Sequence, residues 1–268
     1  MIGFYLESLK NGRAFLEAAR EVSQKKRIVL LKAGVSTQGA HAAASHTGAL
    51  AGSDAAIEAL CREAGIARAH DSEEFLDLLR VYALQPELAS NRVAVVTNAG
   101  GPGILATDAA ELAGLNLVRL EEPGASALKA KLPPAASNGN PIDVLGDAAA
   151  DRYLAAIEAA ARDPQVDGLC VLLTPQIMTP VEEVAETLIK EMRSRPLLAV
   201  TTCFMGGGSV HGAMEPLAKA GIVNFPSPER AIKALGALQK PKFDDGNGVE
   251  PVNTERKSKA EALLKGKT

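Results

Sequence analysis

Short apolar runs alternate with amphipathic stretches along most of the chain. In the first part, the apolar runs predict buried strands, and the helical periodicity between them predicts amphipathic helices. The predicted strands are 2–6, 27–32 and 66–69, and the predicted helices are 12–23, 53–64 (with Ser53 as its N-cap) and 72–84. The stretch from Ala33 to Thr47 is rich in small residues and is expected to be a loop.

The same alternation restarts after a short polar segment at 85–91, which contains Pro86 and is expected to be a joint. Strands are predicted at 92–97, 116–120, 167–174, 197–201 and 222–225, with a strand and loop at 140–147. Helices are predicted at 103–114, 124–131, 149–162, 180–194, 209–220 and 228–238. Five strands that alternate with helices favour a doubly wound parallel α/β sheet, flavodoxin-like in size.

Three parts are therefore expected along the chain. They are an α/β domain at 1–86, a second α/β domain at 91–239, and a tail at 240–268 that contains a helix at 253–265. The chain opens directly in a strand, and the tail helix has few apolar positions to bury. Both features lead us to expect that something longer normally surrounds this sequence.

The composition is that of a soluble globular protein with an aliphatic core. The 268 residues are 47% hydrophobic, 23% charged and 3% aromatic, with no tryptophan. Few aromatic residues and a net charge of −3 argue against nucleic acid and membrane surfaces as partners. No apolar run reaches the roughly 18 residues of a membrane span, and no signal peptide is recognised. Three widely spaced cysteines indicate neither a disulfide framework nor a zinc site, so a cytoplasmic location is expected.

His46 is the first candidate for chemistry. It lies among alanines, glycines and small hydroxyl residues, where another surface can approach closely. Ser45, Thr47 and Gly48 offer hydroxyl and amide donors to an anion, and Glu7, at the end of the first strand, could hold one nitrogen of the imidazole. Such a histidine can accept a phosphoryl group and pass it on. The plainer alternative is a loop histidine that only bonds a carbonyl.

The turn Asn98–Gly103 is the second candidate. Gly100, Gly101 and Gly103 lie between a strand and a helix, where backbone N–H groups and the helix dipole favour an anion such as phosphate. The spacing matches neither a Walker loop nor a dinucleotide-binding fingerprint. A glycine-rich turn of this kind also occurs simply because the turn is tight, so both interpretations stay open.

Other polar residues are placed around the same sheet edge. Asn98, Asn140 and Asp143 could line a crevice, whereas Asp147 is expected to be a helix N-cap. The remaining candidates carry weaker signals: His211 beside the glycines at 206–208, Cys203 as an ordinary buried thiol, and His41 and His70 as surface residues. No metal site is expected.

Taken together, these motifs resemble a known family. The segment Ser45–Gly52 is similar to the phosphohistidine loop of the NDP-forming acyl-CoA synthetases, which include ADP-forming acetate–CoA ligase and succinyl-CoA synthetase. Val96–Gly103, followed by Ala106–Ala110, resembles the opening of the flavodoxin-like domain that follows this loop, and Asn140–Asp143 resembles that domain's next signature. The resemblance implies two succinyl-CoA synthetase-like domains, of which the first lacks its initial βα unit.

The resemblance also implies roles for individual residues. His46 would carry the phosphoryl group, Glu7 would orient it, and the glycines at 100–103 would stabilise the phosphate, with assistance from Ser45, Thr47 and Gly48. The complete enzyme interconverts acid, CoA and ATP with acyl-CoA, ADP and phosphate, and uses Mg²⁺. No cofactor is assigned to this chain alone. Its expected partners are the ATP-grasp and CoA-binding domains or subunits, a small carboxylic acid with acetate as the default, and a possible second copy of the chain.

Two alternatives stay open. The chain could be a regulatory or binding module that keeps this fold without turnover, as some relatives of the family do. It could also be a plain flavodoxin-like anion binder, although that leaves the His46 segment unexplained. The presence of both His46 and Glu7 favours the enzyme.

Overall fold

The computed structural model describes residues 1–47 and 53–241 of the chain, which divides into two compact units. One unit comprises residues 4–68 together with 241, and the other comprises 1–3 and 69–240. None of the helices described is long and apolar enough to cross a membrane. The helix expected at 253–265 lies outside the described residues.

The first unit is built around a small sheet with the strand order β1-β2-β3. The strands are β1 (Ile2–Leu6), β2 (Ile28–Lys32) and β3 (Ala67–Ala69), and the helices are α1 (Gly12–Ser23), α2 (Thr37–Thr47) and α3 (Asp54–Ala64). Ile28 and Leu30 of β2 pack with Ile57 and Leu60 of α3 in one apolar cluster. Ser53 occupies the N-cap position of α3, as predicted, but its side chain makes no capping hydrogen bond.

The prediction of a loop at 33–47 is wrong, because most of this segment, Thr37–Thr47, forms α2. Gly34 adopts a left-handed φ of +70°, which turns the chain, and the Ser36 hydroxyl accepts a hydrogen bond from Gly39 N at 3.1 Å. Alanines then continue the helix, and alanine has the highest helix propensity of all residues. The small residues led to the prediction of a loop, whereas in the structure they form a helix.

The second unit is a six-stranded parallel sheet covered by helices. Its strands are β4 (Arg92–Thr97), β5 (Asn116–Leu117), β6 (Ile142–Asp143), β7 (Gly168–Leu173), β8 (Ala199–Phe204) and β9 (Val223–Asn224). Its helices are α4 (Ser72–Leu84), α5 (Gly100–Leu112), α6 (Gly124–Lys131), α7 (Ala150–Arg162), α8 (Val181–Arg193), α9 (His211–Lys219, preceded by a 3₁₀ turn Gly207–Val210) and α10 (Pro228–Ala237). Two apolar clusters hold the helices on the sheet.

The strand order is β5-β4-β7-β8-β9, and β6 also pairs with β4. Since β7 takes one edge of β4, both β5 and β6 occupy the other edge, at the start and the end of β4 respectively. The chain therefore changes direction across the sheet between β4 and β7. In open α/β sheets, ligands bind at the carboxyl ends of the strands at such a switch point.

Side-chain amides replace backbone partners where the strands of this sheet separate. Asn140 accepts from Val95 N at 3.0 Å and donates to Val93 O and Val118 O, both at 2.8 Å. It fills the gap on β4 between β5 and β6. Because Asn140 occupies this place, β5 ends after two residues, and the predicted strand 116–120 is too long.

The same device recurs on the other strands. Asn224 accepts from Phe204 N at 2.7 Å, beyond the last paired residues of β8 and β9. Gln85, from the expected joint, accepts from Val200 N and donates to Gly221 O, both at 2.7 Å. The segment 85–91 is therefore packed into the second unit, and Leu88 within it is buried.

Asp147 does not cap α7. The helix begins at Ala150 with Ala149 at the N-cap position, and Asp147 instead accepts from Arg152 Nη1 at 2.8 Å. This ion pair lowers the pKa of Asp147. From the sequence alone, an acidic residue before a helix can either cap the helix or form an ion pair. Here Arg152 lies close enough for Asp147 to form the ion pair.

The three cysteines are free and buried, as expected for Cys203. Burial raises the pKa of Cys170 and of Cys203 to about 12, and that of Cys61 to about 11. These thiols remain protonated at neutral pH, so they have no nucleophilic role.

Replacing Asn140 by alanine tests whether side-chain amides stabilise the sheet by bonding its strand backbones. Three buried backbone groups lose their partner, so we expect a loss of about 2–4 kcal/mol in the free energy of unfolding. Urea denaturation measures it. Asn91→Ala is the matched control, because the exposed side chain of Asn91 makes one hydrogen bond, to Gly114 O at 3.0 Å. Equal effects of the two substitutions would contradict the bracing role of Asn140.

The opposite end of the sheet should respond to acid. Asp167 accepts from Arg92 Nε at 2.7 Å and from Ser90 Oγ at 2.7 Å, and Arg92 makes the larger contribution to lowering the pKa of Asp167. A pKa that is lower in the folded state stabilises the fold above about pH 4, and this stabilisation is lost as the pH falls through the folded value. Asp167→Asn should therefore cost stability at pH 6 and little at pH 2.5 in urea unfolding. A cost that does not change with pH would refute this origin.

Candidate functional site

The switch point between β4 and β7 is braced by one amide side chain. The ladder between these strands ends at Val96 and Val171. Beyond it, Asn98 accepts from Thr174 N and donates to Thr174 O, both at 2.8 Å. Asn98 is buried, and both the oxygen and the nitrogen of its side-chain amide bond the backbone of Thr174, which follows β7.

Helix α5 begins directly above this brace. Its N-cap residue, Ala99, provides no side chain that could cap the helix, and Pro102 has no N–H. The first amides of a helix have no intrahelical acceptor, so those of Gly100 and Gly101 are available at a terminus that carries about half a positive charge. This arrangement is suited to an anion.

The three glycines of this turn differ in their surroundings. A Cβ atom on Gly101 would meet nothing within 4 Å, whereas one on Gly103 would lie 3.2 Å from Thr97 Cγ2 and 3.6 Å from Pro141 Cβ. Gly101 therefore leaves open space above the amides, and Gly103 lets the helix pack closely against β4 and the segment before β6. The helix also begins at Gly100, three residues earlier than predicted.

Asp143 lies beside the same terminus. Its Oδ1 accepts from Leu145 N at 2.9 Å, and its Oδ2 is 3.8 Å from the position that a Cβ atom on Gly100 would take. Leu145 has a φ of +71°, which is unfavourable for a residue with a branched side chain. Strain of this kind persists where the surrounding structure fixes a loop, and such loops occur at functional sites.

Two further loops border the crevice. A Cβ atom on Gly146 would lie 3.8 Å from both Asn98 O and Gln176 Cγ, so the loops after β6 and β7 meet over the end of β4. The Thr174 hydroxyl is buried and has no hydrogen-bond partner within the part of the chain that the structure describes. Ile177, in the loop after β7, is fully exposed.

Tyr153 lies in the core behind this edge, and it was not among the residues predicted from the sequence. It is fully buried on α7 and donates from its hydroxyl to Leu172 O at 3.0 Å. Burial, followed by the charge of Asp143, raises the pKa of Tyr153 well above its ordinary value, so the hydroxyl stays protonated. The one available signal was a polar-tipped aromatic residue on the apolar face of an alanine-rich helix.

In the first unit, Glu7 directly follows β1 and is half-buried, and Ser45 is exposed near the end of α2. The backbone of His46 belongs to the last turn of α2. The side chains of His46 and Thr47, and all of Gly48, lie outside the described residues. The pairing of His46 with Glu7 and the roles of Ser45, Thr47 and Gly48 therefore stay predictions.

The other histidines are exposed. His41 lies on α2, His211 begins α9, and His70 lies 3.3 Å from Glu74 through its Nδ1. Within residues 1–47 and 53–241, no group of three or more histidine, cysteine or acidic side chains could hold a metal ion.

Comparison with known proteins identifies both parts of the sequence. Residues 1–82 match the succinyl-CoA ligase like flavodoxin domain, and residues 93–245 match the Ligase-CoA domain. The alpha subunit of ADP-forming acetate–CoA ligase I from Pyrococcus furiosus is 42% identical over 241 residues, which are 88% of this chain and 51% of the relative. The ADP-forming acetate–CoA ligase of Methanocaldococcus jannaschii is 44% identical over 90% of this chain and 34% of its own length.

A solved structure matches the fold. The dinucleotide-forming acetyl-coenzyme A synthetase 1 of Ca. Korarchaeum cryptofilum, in complex with phosphate and ADP, superposes with a TM-score of 0.83 at 36% identity. The match covers 88% of this chain and 52% of that chain, and it confirms the predicted α/β class with flavodoxin-like parallel sheets. The chain thus spans about half the length of the Pyrococcus subunit and of the solved chain, and 34% of the Methanocaldococcus enzyme. Since the Ligase-CoA domain alone matches more than half of the sequence, the chain belongs to the NDP-forming acyl-CoA synthetase family.

Proposed function

We propose that the chain is the part of an ADP-forming acyl-CoA synthetase that carries and receives a phosphoryl group. The observation that carries the proposal is the uncapped α5 terminus at Gly100 and Gly101, in a chain that also contains the segment Ser45–Gly52 with His46. Two of the relatives described above are named as ADP-forming acetate–CoA ligases, and the solved one was bound to phosphate and ADP.

The proposed reaction moves one phosphoryl group twice. A nitrogen of His46 attacks the γ-phosphorus of ATP, the bond to the bridging oxygen breaks, and ADP leaves. A carboxylate oxygen of the acid then attacks the phosphorus of phosphohistidine, which frees the imidazole and forms an acyl phosphate. Finally, the CoA sulfur attacks the acyl carbon, the thiol proton is lost, and phosphate leaves.

Residues of this chain serve these steps by binding and orienting. The amides of Gly100 and Gly101 donate to phosphoryl oxygens, and the helix dipole stabilises their negative charge. Glu7 holds the imidazole in the correct tautomer. Asp143 orients the loop after β6 by accepting from Leu145 N at 2.9 Å. We assign Asn98 and Asn140 to bracing, because a substrate contact would cost each amide its backbone partners.

The remaining steps require partners that bind the nucleotide and CoA. ATP, ADP and Mg²⁺ are assigned to an ATP-grasp domain of the complete enzyme, and CoA to its CoA-binding domain. The acid is a small carboxylic acid, with acetate as the first candidate. A cytoplasmic location and self-association of the chain stay predictions.

Labelling of the histidine tests the proposal. The chain is incubated with a matching ATP-grasp subunit and ATP labelled at the γ-phosphate, and protein-bound label is tested for acid lability. We expect His46→Ala to abolish the label, because the nucleophile is absent. His41→Ala is the control, since His41 is exposed on the same helix and should leave the labelling unchanged.

The outcomes separate the alternatives. Label that persists in His46→Ala would refute the assignment of the carrier. The absence of any label on the unsubstituted chain, with an ATP-grasp subunit that is active with its own partner, would favour a regulatory module.

Glu7→Gln tests the orienting carboxylate. Glutamine keeps the size of the side chain and removes the charge, so we expect the initial rate of labelling to fall about 10- to 100-fold, which corresponds to one charge-assisted hydrogen bond. Glu17→Gln is the control, because Glu17 is an exposed residue paired with Arg13. An unchanged rate in Glu7→Gln would remove Glu7 from the mechanism.

A further inference from the structure

Arg68 holds the first turn of α3 in the first unit. It is the middle residue of β3, and its side chain is only 7% exposed. Its Nη1 donates to Glu58 Oε2 at 2.8 Å and to Asp54 O at 3.3 Å, and its Nη2 donates to Asp54 Oδ1. A planar guanidinium that makes these three bonds fixes two carboxylates and one backbone carbonyl in a single arrangement.

The capping position of α3 contributes no such side-chain bond. Ser53 occupies that position, but its hydroxyl caps none of the free amides. Asp54 and Glu58 are four residues apart on one face of the helix, where two like charges repel each other. Arg68 bonds both carboxylates and so offsets this repulsion. It therefore supplies the stabilisation that the missing cap does not.

The first turn of α3 is also where the segment that carries His46 ends. The segment Ser45–Gly52 is followed by Ser53 and then by α3, so Asp54 lies eight residues after His46 in the chain. If the start of a helix frays, the stretch of chain between its fixed part and a carried group becomes longer. A longer tether lowers the effective concentration of that group at its target. The start of α3 therefore sets the length of chain between His46 and its anchor.

We propose that Arg68 is a positioning residue of the phosphoryl carrier, which fixes the anchor of the His46 segment by bonding Asp54 and Glu58. The inference rests on the proposed function, because it presumes that His46 carries the phosphoryl group. Arg68 touches no substrate and acts through the start of α3, whereas Glu7 is assigned to the imidazole itself.

Arg68→Lys tests the anchor in the full chain. Lysine keeps the charge but lacks the planar fork that reaches all three acceptors. We expect amide hydrogen exchange at residues 55–58, measured by mass spectrometry, to accelerate about fivefold or more, as for the loss of one well-placed hydrogen bond. With a matching ATP-grasp subunit and labelled ATP, the maximal rate of His46 labelling should fall by a similar factor. The subunit concentration that gives half of the maximal rate should stay unchanged, because the docking surfaces are intact.

Arg20→Lys is the matched control. Arg20, on α1, donates from its Nη2 to Glu63 Oε1, near the other end of α3. The same chemical change there leaves the first turn intact, so neither exchange at 55–58 nor the labelling rate should change. Asp54→Ala covers the case in which Arg68→Lys does not fold, since the Asp54 side chain is 44% exposed and Arg68 keeps its bond to Glu58. It should change both measurements in the same direction as Arg68→Lys.

The outcomes separate the anchor from the carrier. Unchanged exchange at 55–58 in both Arg68→Lys and Asp54→Ala would refute the anchor. Faster exchange with an unchanged labelling rate, or a labelling rate that Arg20→Lys lowers equally, would refute the positioning role and leave the proposed carrier intact. An unsubstituted chain that takes up no label, or label that persists in His46→Ala, would overturn the proposed function and this inference with it.

Discussion

The second unit depends on hydrogen bonds that side chains make in place of missing strands. Its outer strands are only two residues long, so the central strands would expose unpaired backbone groups in a buried sheet. Asn140, Asn98 and Asn224 place an amide where a peptide group would otherwise lie, and Tyr153 places a hydroxyl. These side chains take over the hydrogen bonds where the backbone ladder stops. The strands can therefore separate at a defined point without leaving buried backbone groups unpaired. The crevice at the carboxyl edge exists because of that parting.

This arrangement explains which parts of the fold could be predicted. The strands β4 and β7 are nearly continuous apolar runs, and a buried parallel strand has that signature whatever surrounds it. The strands β5 and β9 are shorter than their apolar runs, since Asn140 and Asn224 take the places where further pairing would occur. An asparagine in a sequence does not reveal whether it will brace a sheet or face a substrate. Periodicity contains no information about that choice.

The candidate site was predictable to a similar extent. The glycine turn at 100–103 could be recognised because three glycines lie between a predicted strand and a predicted helix. Asp143 could be predicted from its position at the end of a short strand. Tyr153 and the strained Leu145 were not, since their importance comes from contacts with residues far away in the sequence. The helical end of the His46 segment was missed because alanine serves equally well in a mobile loop and in a helix.

The contrast between Gly101 and Gly103 has a consequence for how this turn can change during evolution. At Gly103 the limitation is steric, because a Cβ atom would lie 3.2 Å from Thr97 Cγ2, and that side chain would have to shift to admit it. At Gly101 the limitation is electrostatic, and small neutral side chains can enter without disturbing the helix. In relatives that no longer bind phosphate, substitutions would therefore accumulate first at Gly101, while Gly103 stayed unchanged. The order in which the two glycines are lost would date the loss of activity relative to the loss of the fold.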